Sequence, residues 1–68
     1  MGVLIIREMV GTSPRSWSDA ARQAVATAAL TVRNIRSVEV VKSTATVDNG
    51  AITEYRVELK IIFEYEPG

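Results

Sequence analysis

The chain has no cysteine and no histidine in its 68 residues. Their absence excludes disulfides, thiol catalysis, Cys/His zinc sites and the Ser-His and Cys-His nucleophile arrangements together. Aromatic residues are scarce, at 6%, and Trp17 is the single tryptophan. Neither sign of charge is in excess, because eight Lys plus Arg balance eight Asp plus Glu. Nucleic-acid binding needs a basic stripe to neutralise phosphates. Only Arg33 and Arg36 come close together, so no nucleic-acid partner is expected. The apolar start MGVLIIREMV is broken at Arg7 and Glu8, too soon for a signal peptide or a membrane span. Its Met-Gly opening lacks the hydroxyl residue that myristoylation wants at position 6, where Ile6 stands. The default is a soluble cytoplasmic protein with no membrane partner.

A chain of this length makes one domain at most, spanning 1–68. It buries only about 60% of the surface its unfolded form exposes. Small domains compensate with disulfides, a metal or association. With the first excluded, association is the expected route, and an oligomer is anticipated.

Residues 2–10 are rich in Val, Leu and Ile and read as a strand. GTSPRSW follows. Gly11 can take a positive φ, and Pro14 cannot continue a ladder. Ser16, three residues ahead of Asp19, gives a capping-box-like helix start. A helix N-terminus with Arg15 nearby can hold phosphate, but the stretch lacks the glycine spacing of a dinucleotide or Walker loop. It reads as punctuation between strand and helix. Apolar residues at 17, 20, 21, 24, 25, 28, 32 and 35 predict one helical face ending near Asn34. Six alanines, at 20, 21, 24, 26, 28 and 29, make this helix thin enough to lie close on a sheet. Trp17, in its first turn, reads as packing the helix start against the sheet or a neighbour.

RSVEVVKSTATV is β-branched and predicts a second strand. Asn49-Gly50 then signals a hairpin, because both positions tolerate positive φ. In the third strand Ala51, Thr53, Tyr55, Val57, Leu59, Ile61, Phe63 and Tyr65 alternate with Ile52, Glu54, Arg56, Glu58, Lys60, Ile62, Glu64 and Glu66. The order is β-α-β-β, an α+β fold with a three-stranded antiparallel sheet in which strand three sits between the other two. A helix of about 18 residues spans about 27 Å, whereas a strand of about 14 residues spans about 46 Å. The excess sheet must curl around the helix or be covered by other subunits.

VGTSPRSW, the alanine-rich helix, VEVV, NGAI and YRVELKIIF together resemble the dodecins. These are small β-α-β-β proteins whose sheet wraps one helix, and they assemble as hollow homododecamers that typically hold flavins. The resemblance covers residues 3 to 65. It implies a binding or storage role, without catalysis, for riboflavin, FMN or FAD. On the family pattern, Ser37 stands where a Trp usually stacks on the flavin ring. Arg56 stands where a Gln bonds the ring's polar edge. Stacking is worth roughly 1–3 kcal/mol. Arg offers donors only, so flavin binding is expected to be weak or altered.

TSPRSW, NIR before strand two and the Tyr-Arg of strand three are also similar to the calcium dodecin subgroup, which lacks the stacking Trp. Calcium wants several oxygen ligands. Glu54 and Glu58 lie on the polar face of strand three, and Glu39 is expected to share it from strand two. Around a symmetry axis, copies of one Glu can converge into a site. The alternatives are a solvated or lumen-lining charged face, with Arg56 paired to Glu39, Glu54 or Glu58, and a ligand-free structural shell whose assembly alone matters.

Overall fold

A computed structural model describes residues 2–65. Strand β1 (Val3–Ser13) leads into helix α1 (Trp17–Ala28), followed by β2 (Ile35–Asp48) and β3 (Ala51–Tyr65). The strands form one antiparallel sheet in the order β1-β3-β2. This is the expected β-α-β-β arrangement, with the longest strand in the middle.

The inner face of β3 carries the core. Val57, Leu59 and Ile61 are buried under Ala20, Ala24 and Ala28 of α1. Met9, Val25, Ile35 and Phe63 pack around them. Burying a Val, Leu or Ile side chain contributes about 1.5–3 kcal/mol each, and a 12-residue helix is unstable on its own. The helix is therefore held by its alanine stripe on the sheet.

Two element ends differ from the sequence reading. β1 does not stop at Val10; its ladder continues through Gly11↔Val57 and Thr12↔Arg56 to Ser13↔Tyr55. Gly11 has no positive φ. A Cβ built there would lie 2.9 Å from the Ala24 Cβ and would collide with the Ala20 carbonyl oxygen. The glycine serves close approach of helix to strand, not a turn.

The helix ends at Ala28 rather than near Asn34. Beyond it, Leu30 N–H donates to Thr27 O and Thr31 N–H to Ala28 O, a tighter winding. Asn34 then takes φ 61°, and its carbonyl accepts from Glu64 N–H at 3.0 Å, turning the chain into β2. Val32 and Ile35 kept the helical phase because the chain folds back over the same core. β-Branched Thr31 and Val32 favour leaving the helix there.

Ser16 caps α1 as expected, its Oγ accepting from Asp19 N–H at 3.0 Å. The Asp19 carboxylate does not return to Ser16; it accepts from the hydroxyl of Ser13, which is only 2% exposed, at 2.6 Å. Ser13 Oγ in turn accepts from Arg15 N–H. GTSPRSW is thus a satisfied internal network at the strand–helix junction. Asn49 at φ 54° and Gly50 at φ 80° make the anticipated hairpin.

The helix covers β1 and β3 and scarcely reaches β2. The chain extends 52 Å in its longest direction, against about 18 Å for a 12-residue helix. Val38 and Val40, on the inner face of β2, remain 41% and 52% exposed.

Candidate functional site

Residues directly opposite in an antiparallel ladder project from the same side of the sheet. On β3 the even-numbered residues face away from the helix, and the register carries their partners with them. One row runs Glu8, Lys60, Glu39 across the three strands; the next runs Val10, Glu58, Lys42. Thr12, Arg56 and Thr44 form a third, and Glu54 lies opposite Thr46. All three predicted carboxylates therefore share the outer face, as anticipated.

Ser37 and Arg56 also share it, but at different ends. Ser37 is opposite Ile62, whereas Arg56 is opposite Thr44. Six residues of β3 separate the two positions, about 20 Å. Both side chains are exposed. Glu54 and Glu58 are about 13 Å apart along their strand. Among the described residues, no three acidic side chains gather closely enough to hold a metal ion.

The register shift between Ile35 and Ser37 marks a bulge at Arg36. Arg36 reaches Glu64 from there, donating to its Oε1 from Nε at 3.1 Å and also from Nη2. Among the described residues this is the one ion pair within 4 Å. Arg56 consequently makes no ion pair with Glu39, Glu54 or Glu58. Leu4 pairs with Glu64 and Ile6 with Ile62, so the Ser37 end of the face is largely apolar.

Two participants were missed by sequence reasoning. Glu8 joins Glu39 around Lys60, a placement that follows only once the β1–β3 register is known. Arg36 was noted only as a charge near Arg33. The two arginines flank Asn34, whose left-handed turn separates them. Trp17 lies where expected, its indole N–H on the Thr44 carbonyl of β2.

The outer face is thus an exposed sheet surface, polar around Arg56 and apolar toward Ser37, that no element covers among the described residues. Ligand chemistry spread so widely can close around a small ligand only when a second surface meets it. The class is a small β-α-β-β domain with one uncovered sheet face.

The dodecin family model matches residues 3–66, and the chain belongs to that family. It is 36% identical over 67 residues to calcium dodecin of Mycobacterium tuberculosis, covering 98% of this chain and 94% of that protein. The crystal structure of that calcium-chelating antigen, described with a calcium-binding site, superposes with a TM-score of 0.82 at 37% identity. It covers 97% of this chain and 94% of its own. Dodecin from Streptomyces coelicolor superposes better, at 0.94 with 31% identity, covering 98% and 96%. An arginine-to-alanine variant of Thermus thermophilus dodecin reaches 0.95 at 31% identity over the whole of both chains. Among the described residues, no helix is long and apolar enough to cross a membrane.

Proposed function

We propose that this chain is a small-ligand binding and storage protein of the cytoplasm, working as a hollow homododecamer without catalysis. The observation that carries this reading is the dispersal of Ser37, Arg56, Glu39, Glu54 and Glu58 over one uncovered sheet face. A single copy offers surface there, and a second copy supplies the missing wall. The inner side also calls for a copy. Ala21, Val25, Ala26 and Val38 line an open apolar groove of about 350 Å³ between α1 and β2.

Calcium is the favoured ligand. Ser37 has no ring to stack on a flavin, the outer face is rich in carboxylates, and calcium dodecin is a 36% identical relative. Glu39, Glu54 and Glu58 are the proposed ligands, brought together by symmetry with copies from neighbouring subunits. One observation favours the second reading, a flavin contacted by Ser37 and Arg56. The backbone agrees better with the Streptomyces and Thermus dodecins than with calcium dodecin, 0.94 and 0.95 against 0.82.

Native mass spectrometry of the purified protein tests the assembly, with twelve chains expected. A thermal shift with calcium that magnesium does not reproduce supports the ion. Quenching of riboflavin fluorescence at micromolar protein, without a calcium response, replaces the ion by the flavin.

A further inference from the structure

At the C-terminal end of α1, away from the outer sheet face, a cleft of about 270 Å³ opens between the helix end and the inner faces of β1 and β3. Met9, Val32 and Phe63 supply apolar walls, and Thr31 adds a hydroxyl. Arg7 lines the cleft as well. Its position is unusual. Arg7 is opposite Ile61, on the face of β1 that carries Met9 into the core. It is an exposed cation beside apolar walls, and among the described residues no carboxylate lies within ion-pair distance of it. Glu8 borders the cleft through its backbone, because strand alternation sends its side chain to the opposite face.

A guanidinium at the edge of an apolar cleft is chemistry for an amphipathic anion. Arginine matches a carboxylate with two parallel N–H donors, while the walls take a hydrocarbon tail. The volume lies just below the range of about 300–1,000 Å³ typical of ligand pockets, which restricts the tail to medium length. We propose that this cleft binds a medium-chain aliphatic carboxylate, with Arg7 on the carboxylate and Met9, Val32 and Phe63 against the chain. The site is separate from the surface of Ser37 and Arg56 and does not depend on which ligand that surface takes.

The test is calorimetric titration of the assembly, as purified, with octanoate, and with octylamine as the charge-reversed comparison. Octanoate is expected to bind at up to one per chain and octylamine not to bind. Arg7→Ala should weaken octanoate at least about tenfold, and Val32→Trp should abolish binding by filling the cleft. Light scattering reports the assembly mass of each variant in parallel. Loss of octanoate binding at unchanged mass supports the site. No octanoate binding to the wild type, equal binding of octylamine, or an undiminished affinity in Arg7→Ala overturns it. A fall in mass in Arg7→Ala also overturns it, by assigning the cleft to contact between copies.

Discussion

Trp17 and Thr44 join the first turn of the helix to the middle of β2, the indole N–H donating to the Thr44 carbonyl at 2.8 Å. Trp17 also stands edge-on to Tyr55, with ring centroids 4.8 Å apart. Because α1 otherwise scarcely touches β2, this side chain is the principal tie between the two. Trp17→Phe keeps much of the ring contact and removes the donor. It should cost about 0.5–1.5 kcal/mol, the net worth of one hydrogen bond, read as a lower denaturation midpoint at unchanged slope.

Gly11 and Gly50 predict opposite reasons for the same sensitivity. Gly11→Ala places a methyl against the Ala20 carbonyl and the Ala24 side chain. The helix must lift, at about 1–3 kcal/mol by analogy with overpacked cores. Gly50→Ala meets no atom within 4 Å, yet its φ of 80° strains any L side chain. That substitution should cost about 1 kcal/mol. A second change separates them. Ala24→Gly carries its own helix cost of about 0.5–1 kcal/mol, so a double-mutant cycle should show favourable coupling with Gly11→Ala and none with Gly50→Ala, which melting of the single and double variants reads.

The junction network gives a third expectation. Asp19→Ala leaves the buried hydroxyl of Ser13 without its acceptor, costing about 1–3 kcal/mol. Ser16→Ala removes only the cap, worth about 1 kcal/mol. Ser13→Ala should cost less in the Asp19→Ala background than alone, since the orphaned hydroxyl goes with it and only the bond accepted from Arg15 N–H is lost. A full additional loss in the double variant would mean that the two side chains contribute independently.

The core face of β3, the hairpin at Asn49-Gly50 and the buried face of the helix were legible because each rests on a local signal. These are alternation with period two, a turn dipeptide and a run of small residues at helical spacing. Gly11 was misread because a glycine needed for close packing looks, in sequence, like one needed for a turn; the difference is the helix that passes over it. The helix end was misplaced because Val32 and Ile35 sit in phase with a helix that has already stopped. The outer face was assembled correctly from alternation, yet Glu8 was not placed on it. The hairpin starts the β2–β3 register, which shifts at three irregularities further along, whereas the register of β1 is set by contacts across the whole chain. Arg36 meets Glu64 through a bulge, a device without a reliable sequence mark.

The proposed cation site makes a prediction about which carboxylate matters. Glu58 lies opposite Lys42, and Glu39 opposite Lys60, so each has a cation beside it in its own chain. Glu54 faces Thr46 instead. Glu54 is therefore the least compensated of the three and the best placed to share an ion with a symmetry copy. Glu54→Gln should abolish a calcium-dependent rise in melting temperature, while Glu39→Gln, which removes a ligand already shared with Lys60, should reduce it only in part. An undiminished rise in both variants would place the ion elsewhere.

The Ser37 end of the face makes the converse prediction. Ser37 is exposed, directly opposite Ile62, with Ile6 across the sheet and the Arg36–Glu64 pair at its border. A ring introduced there has apolar neighbours on one side and open space on the other. Ser37→Trp should restore a stacking surface worth roughly 1–3 kcal/mol, a gain of about tenfold or more in riboflavin affinity, measured by fluorescence quenching. The magnitude depends on the opposing wall, which a second copy must supply. In a Ser37→Trp protein that stays assembled, a tenfold gain means that the space between copies still admits a flat ligand. An unchanged affinity in the same assembly means that the facing surfaces have closed over the Ser37 position. A flavin at this surface is then excluded.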